Sequence, residues 1–258
     1  MSKKSNGTEH PAVESADKDS AEKVVHFPTL AERDRRRKQE QENVSADPKP
    51  GVPFFNLAKL PPFTRFTTAT FFIVHITLFV LMDPAERLQA FYAMGFVPGY
   101  FTHVLGGFPW FAPLGIVTHL LIHGGWMHLL FNSVMMLAMG TMFERLFGTR
   151  TTALFFLLCG FAGAAAYFAF NPFSTVPVIG ASGSISGLFG AAIILLYQQG
   201  QLGKIGKRGP WPLVLFWVAL MIGTGLIGGG DLAWQAHVGG FLAGIGLLQL
   251  LQKGKIRL

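Results

Sequence analysis

The sequence predicts an all-α membrane protein with six transmembrane helices, and three observations carry that prediction. The first is how little charge the chain has and where it sits. Charged residues make up 14% of the 258, against about 25% in soluble domains, and residues 1–65 hold 22 of the 35. The second is two long uncharged stretches: residues 88–143 and 151–203 contain no Asp, Glu, Lys or Arg. A soluble domain needs charge on its outer faces, whereas lipid tails accept an apolar surface. The third is that the basic residues outside the first stretch cluster at alternate ends of the apolar runs.

Six spans are read in order. They are residues 66–82, 126–143, 151–170, 182–198, 210–227 and 233–252. A crossing helix needs about 20 residues to cover a hydrocarbon core of about 30 Å, so all six are adequate and the first is short. Asn171-Pro172 stops the third. With the N-terminus in the cytoplasm, Arg145, Arg150, Lys204, Lys207, Arg208, Lys253, Lys255 and Arg257 all fall inside. That places 20 of the 21 Lys/Arg on the inner side and only Arg87 outside, as the positive-inside rule requires. Both termini are therefore expected in the cytoplasm, across a bacterial-type cytoplasmic (inner) membrane.

Residues 1–64 read as a disordered cytoplasmic tail, rich in Lys, Glu, Asp, Ser and Pro, with a basic run over residues 33–38. Such a composition cannot build a core. No apolar run in the first 30 residues marks a cleavable signal. Residues 65–253 form the six-helix domain and 254–258 a short cytoplasmic C-terminus. The outer loop 84–113 carries eight aromatics among Gly and Pro. It is too broken for two spans, and its aromatics are expected at the headgroup level.

The formal charge of +7 and pI of about 9.7 would fit nucleic acid, but the basic residues flank the spans, so no nucleic-acid partner is expected. The lone Cys159 excludes a disulfide within the chain and a cysteine metal site.

Polar groups within spans are costly and mark function by default. Gly180-Ala181-Ser182-Gly183 opens the fourth span. A helix start offers free N–H groups and a positive dipole end, suited to a developing oxyanion. Packing by a serine-rich segment is the alternative. His237 lies at similar depth on the sixth span, and Gly240 and Gly244 after it form a small-residue face. Packed on Gly183 and Gly187, that face would bring His237 to Ser182; a structural, hydrogen-bonded histidine is the alternative.

His128 and Asn132 share one face of the second span and offer two donors to an oxyanion, or interhelical glue. Glu144 lies about 24 Å further along that helix and reads as a structural acceptor. His119, His123 and His128 raise a metal site, yet no HExxH and no nearby carboxylate accompany them. Gly228-Gly229-Gly230-Asp231 raises an aspartyl protease, which needs a second intramembrane carboxylate that the sequence lacks.

Together these motifs resemble the rhomboid intramembrane serine proteases. The resemblance rests on His128-x3-Asn132, Gly140-x3-Glu144-x3-Gly148, Gly180-Ala181-Ser182-Gly183 and Ala236-His237-x2-Gly240-x3-Gly244, in this order, and covers about residues 57–252. It implies a six-transmembrane-helix rhomboid fold and a serine endopeptidase. Ser182 is then the nucleophile and His237 the general base, with His128, Asn132 and the Ser182 N–H as oxyanion donors. Gly180, Gly183, Glu144, Gly240 and Gly244 give structural support. It implies no metal and no cofactor, with single-span membrane proteins and the lipid bilayer as partners; the oligomeric state is left open. The chain departs from the family in two places. The outer loop lacks a Trp-Arg pair, and Ser186 stands where some relatives stack an aromatic on the catalytic histidine. A catalytically silent rhomboid-like binder typically loses the serine or the histidine, and both are kept here. A channel or transporter would show internal repeats, and none is seen.

Overall fold

The computed structural model of the protein describes residues 35, 60–203, 208–227, 233–256 and 258. The chain divides into Met1–Phe55 and Asn56–Leu258, and the candidate site with all the helices around it belongs to the second unit. The expected tail, apart from Arg35 and residues 60–64, lies outside the described residues, as do Lys204, Lys207, Arg257 and the Gly228–Asp231 motif.

Every regular element among the described residues is helical, with one isolated antiparallel bridge between Phe96 and Val178. Helix α1 (Pro62–Leu81) starts four residues before the apolar pattern predicts. Pro61 and Pro62 set its start, where a missing N–H costs nothing. Its buried face is Thr64, Thr68, Phe71, His75 and Leu78, three of five polar, and its last turn, Thr77–Leu81, is wound as π-helix.

The outer loop, too broken for two spans, nevertheless holds local helix. It opens with an 11-residue helix, α2 (Pro84–Met94), fixed by a capping box. Ala85 and Glu86 N–H groups donate to Asp83 Oδ1 at 2.7 and 2.9 Å, and the Asp83 N–H donates back to Glu86 Oε2 at 3.0 Å. Short helical turns at Pro98–Phe101 and Ala112–Leu121 lead to the site.

Helix α3 (Trp126–Phe147) carries a π segment at Met136–Gly140. It ends at Gly148, whose φ of +81° few other residues adopt, and α4 (Thr149–Phe170) begins at once. Then come α5 (Ser182–Gln198), α6 (Trp211–Ile227) and α7 (Trp234–Gln252). Among the described residues three helices, α1, α3 and α4, are long and apolar enough to cross a membrane. Helices α5 and α6 are apolar but 17 residues long. Helix α7 has 19 residues and is diluted by Gln235, His237, Gln249 and Gln252.

Helices α4, α5 and α7 make the tightest packing, and they do it through backbone. A Cβ on Gly244 would strike the Gly187 carbonyl, and one on Gly240 would strike that of Gly183. A Cβ on Gly163 would lie 2.7 Å from the Ala236 carbonyl oxygen. Such approach recovers dispersion and dipolar contact where lipid removes any hydrophobic drive. Around this seam Phe71, Leu129, Met136, Phe143, Phe155, Leu188, Phe241 and Leu248 form the apolar core.

Candidate active site

The small-residue seam determines where the two polar helix starts meet. Ser182 is the first residue of α5 and His237 lies in the first turn of α7. With Gly183 against the Ala236 carbonyl, His237 Nε2 comes within 2.7 Å of Ser182 Oγ. Nε2 can therefore accept the hydroxyl proton when the proton rides on Nδ1. No aromatic ring among the described residues stacks on His237, consistent with serine at position 186.

The other two motif residues face the same space. Gly180 precedes the helix with φ +112°, and a Cβ there would lie 2.7 Å from both Cε1 and Nε2 of His128 and 3.7 Å from Asn132 Nδ2. Glycine is thus required twice, for its backbone angle and for the imidazole beside it. The Gly124 N–H donates to His128 Nδ1 at 3.4 Å, which leaves the His128 proton on Nε2, the nitrogen facing Gly180. Asn132 is 2% exposed, and its Nδ2 meets no acceptor among the described residues.

These residues line one cavity of about 690 Å³ with Ser182, Gly183 and His237, walled on one side by α4 and on another by residues 176–179. It gathers a hydroxyl, a base within bonding distance and two donor side chains. The first N–H groups of α5 have no intrahelical partner. That set is suited to nucleophilic attack on a carbonyl.

Glu144 stands apart, at the other end of α3. Its Oε1 accepts from the Phe63 N–H at 2.9 Å and the Thr149 hydroxyl at 2.8 Å. Oε2 accepts from the N–H and hydroxyl of Thr64, at 2.8 and 2.9 Å. One carboxylate thereby caps the start of α1 and ties it to the α3–α4 corner. Gly140 adjoins the same point, where a Cβ would meet Thr64 Oγ1 at 2.9 Å.

His119 and His123 take different places. The His119 Nδ1–H is 2.8 Å from the Gly115 carbonyl, and the His119 carbonyl accepts the Gly180 N–H at 2.8 Å. His123 wedges between Phe71 and His128, with ring centroids 4.9 and 5.2 Å away. No group of three His, Cys, Asp or Glu among the described residues could hold a metal ion.

Three features escaped the sequence reading. His75 of α1 is fully buried, stacked on Phe79 and edge-on to Trp126, and among the described residues its two ring nitrogens and those of His123 meet no group at full hydrogen-bonding geometry, with the backbones of His123 and Leu121 close to the two rings in turn. Tyr167 lines the cavity, and its hydroxyl lies 3.2 Å from Ser174 Oγ. A tyrosine within an uncharged span was the available signal. The pairing of Phe96 with Val178 joins distant segments and leaves no local trace.

A family model described as "Rhomboid domain" matches residues 111–253. Among curated proteins, the chain is 31% identical over 129 residues to the rhomboid protease GluP of Bacillus subtilis, covering 50% of this chain and 24% of that one. It is 34% identical over 125 residues to RHOMBOID-like protein 4 of Arabidopsis thaliana, covering 48% of this chain and 30% of the relative. It is 33% identical over 106 residues to the putative rhomboid protease YdcA of B. subtilis, covering 41% and 51%. The chain thus spans about half or less of the length of these relatives.

Proposed function

The chain belongs to the rhomboid family and its apolar helices make it an integral membrane protein; on that premise we propose that it is an intramembrane serine endopeptidase. The observation that carries this reading is the 2.7 Å contact between Ser182 Oγ and His237 Nε2, within a cavity that also holds His128 and Asn132. The proposed architecture has α1, α3, α4, α5, α6 and α7 as six spans in a bacterial-type cytoplasmic membrane, with both termini inside.

In the proposed mechanism His237 Nε2 takes the Ser182 proton as Oγ attacks the scissile carbonyl carbon. The carbonyl oxygen becomes an oxyanion, stabilised by the His128 Nε2–H, the Asn132 amide and the Ser182 N–H. Collapse breaks the C–N bond, His237 gives its proton to the leaving amine, and an ester to Ser182 remains. Water, deprotonated by His237, then attacks the ester; the bond from carbon to Ser182 Oγ breaks, His237 returns the proton to Oγ, and the acid product leaves. No acidic third residue is invoked. The substrates are single-span membrane proteins, cut where the helix can unwind, since a scissile bond in an intact helix is shielded by its own hydrogen bonding.

The test uses purified protein in liposomes with a panel of single-span substrates, comparing wild type with Ser182→Ala. Cleavage by wild type alone is the expected result, together with labelling of wild type but not the variant by a fluorophosphonate. Turnover that survives Ser182→Ala rejects the nucleophile assignment. A folded wild type that neither cleaves nor labels points to a silent binder.

A further inference from the structure

One wall of the cavity is not a helix. It is the extended segment between α4 and α5, of which residues 176–180 face the site, and apolar burial holds only its far end, where Val178 packs with Phe96 and Ala164. Phe173 and Val176 are 68% and 64% exposed. The segment is held by hydrogen bonds, and these converge on Ser174. Its N–H donates to the Asn171 carbonyl at 3.1 Å, and its carbonyl accepts the Gly99 N–H at 2.8 Å. Its Oγ accepts the Val176 N–H at 3.3 Å and lies 3.2 Å from the Tyr167 hydroxyl. Every polar group of this serine is engaged.

Beyond Ser174 the segment pairs with the outer loop. The Phe96 N–H donates to the Val178 carbonyl at 3.0 Å, and the Val178 N–H returns to the Phe96 carbonyl at 2.8 Å. Tyr167 sits one helical turn beyond Gly163, which is pinned against the Ala236 carbonyl of α7. The Tyr167–Ser174 contact is therefore a side-chain tie between the rigid helices behind the dyad and the wall that a bound chain would touch.

We propose that Tyr167 and Ser174 are positioning residues that hold the cavity wall in register with Ser182, and that they act on substrate binding rather than on turnover. The inference rests on the protease reading above. The pair touches no reacting atom, so its loss leaves the dyad and the oxyanion donors in place. What it changes is the fraction of molecules whose wall is set to receive a substrate segment, and that fraction scales apparent affinity.

The test takes the full chain in liposomes with Tyr167→Phe, Ser174→Ala and the double variant. The expected result is KM raised about threefold to tenfold by each, kcat within about twofold of wild type, and a double variant no worse than either single. Ser174→Thr, which keeps the hydroxyl, restores the wild-type KM. In parallel, hydrogen–deuterium exchange at the Val176 and Gly99 amides speeds up in Tyr167→Phe, a readout that needs no activity. Unchanged exchange in Tyr167→Phe overturns the proposal, as does a fall in kcat and melting temperature at constant KM, or effects that simply add. Should wild type itself prove inactive, the protease reading falls, and the exchange result alone decides whether the tie exists.

Discussion

At Gly180 two demands coincide: a φ of +112° and a neighbouring imidazole that leaves no room for a Cβ. That coincidence explains how His128 and Asn132, some fifty residues upstream, reach the start of α5. The residue types were legible, because i and i+4 donors on a helix and a serine at a helix start are local patterns. The orientation of His128 was not, since it depends on the Gly124 N–H. If Asn132 donates to the oxyanion, Asn132→Ala lowers kcat by about 10²–10³-fold. A kcat equal to that of wild type in the liposome assay would return Asn132 to packing. His75 calls for the opposite expectation. Its ring packs between Phe79 and Trp126, and among the described residues neither nitrogen meets a partner at full hydrogen-bonding geometry, although the His123 backbone lies close by. A buried, unbonded polar group costs stability that an apolar group of the same shape does not. His75→Phe is expected to leave cleavage unchanged and to raise stability by about 1 kcal/mol. A lower melting temperature would show that the nitrogens are bonded after all.

The helices differ in how much of each was readable. Helix α5 runs over Ser182–Gln198, the bounds that its apolar run predicts, and positive-φ glycines at 180 and 200 flank both ends. Helix α1 begins earlier than its apolar run because its first N–H groups are capped by Glu144 from eighty residues away. Helix α2 was readable in principle. The Asp83-Pro84-Ala85-Glu86 box is a local start signal, obscured by the Gly- and Pro-rich stretch after it. The two π segments have no sequence mark that we can identify. The seam of α5 and α7 was readable as glycine spacing, and it supports a prediction at this scale. Gly244→Val places a branched side chain against the Gly187 carbonyl, so the helices must separate at a cost of about 1–3 kcal/mol or more. Ser182 and His237 lie at the same interface, so cleavage is expected to fall with stability. A Gly244→Val protein as stable and as active as wild type would contradict this contact.

For the whole molecule, crossing number is the property on which the sequence and the structure say different things, since the charge pattern predicts six spans. Three helices satisfy length and hydropathy by themselves. Of the other three proposed spans, α5 and α6 are shorter and α7 is diluted by polar side chains, of which His237 belongs to the site. Helix α7 is the clearest case, since His237 dilutes its apolar character while serving the proposed chemistry. A count based on length and hydropathy therefore loses the two helices that carry Ser182 and His237, together with α6, whereas the distribution of basic residues predicts all six. The consequence can be measured directly with single cysteines. Gly107 is exposed, and a Cβ there meets nothing within 4 Å; Lys255 is exposed just beyond α7. Native Cys159 is fully buried, so its background labelling is expected to be low. In right-side-out vesicles a membrane-impermeant maleimide is expected to label Gly107→Cys and to spare Lys255→Cys until the membrane is opened. That pattern requires an odd number of crossings between the two positions, which five spans supply. Equal labelling from outside would make the number even, and one of α3 to α7 would then lie in the membrane without crossing it.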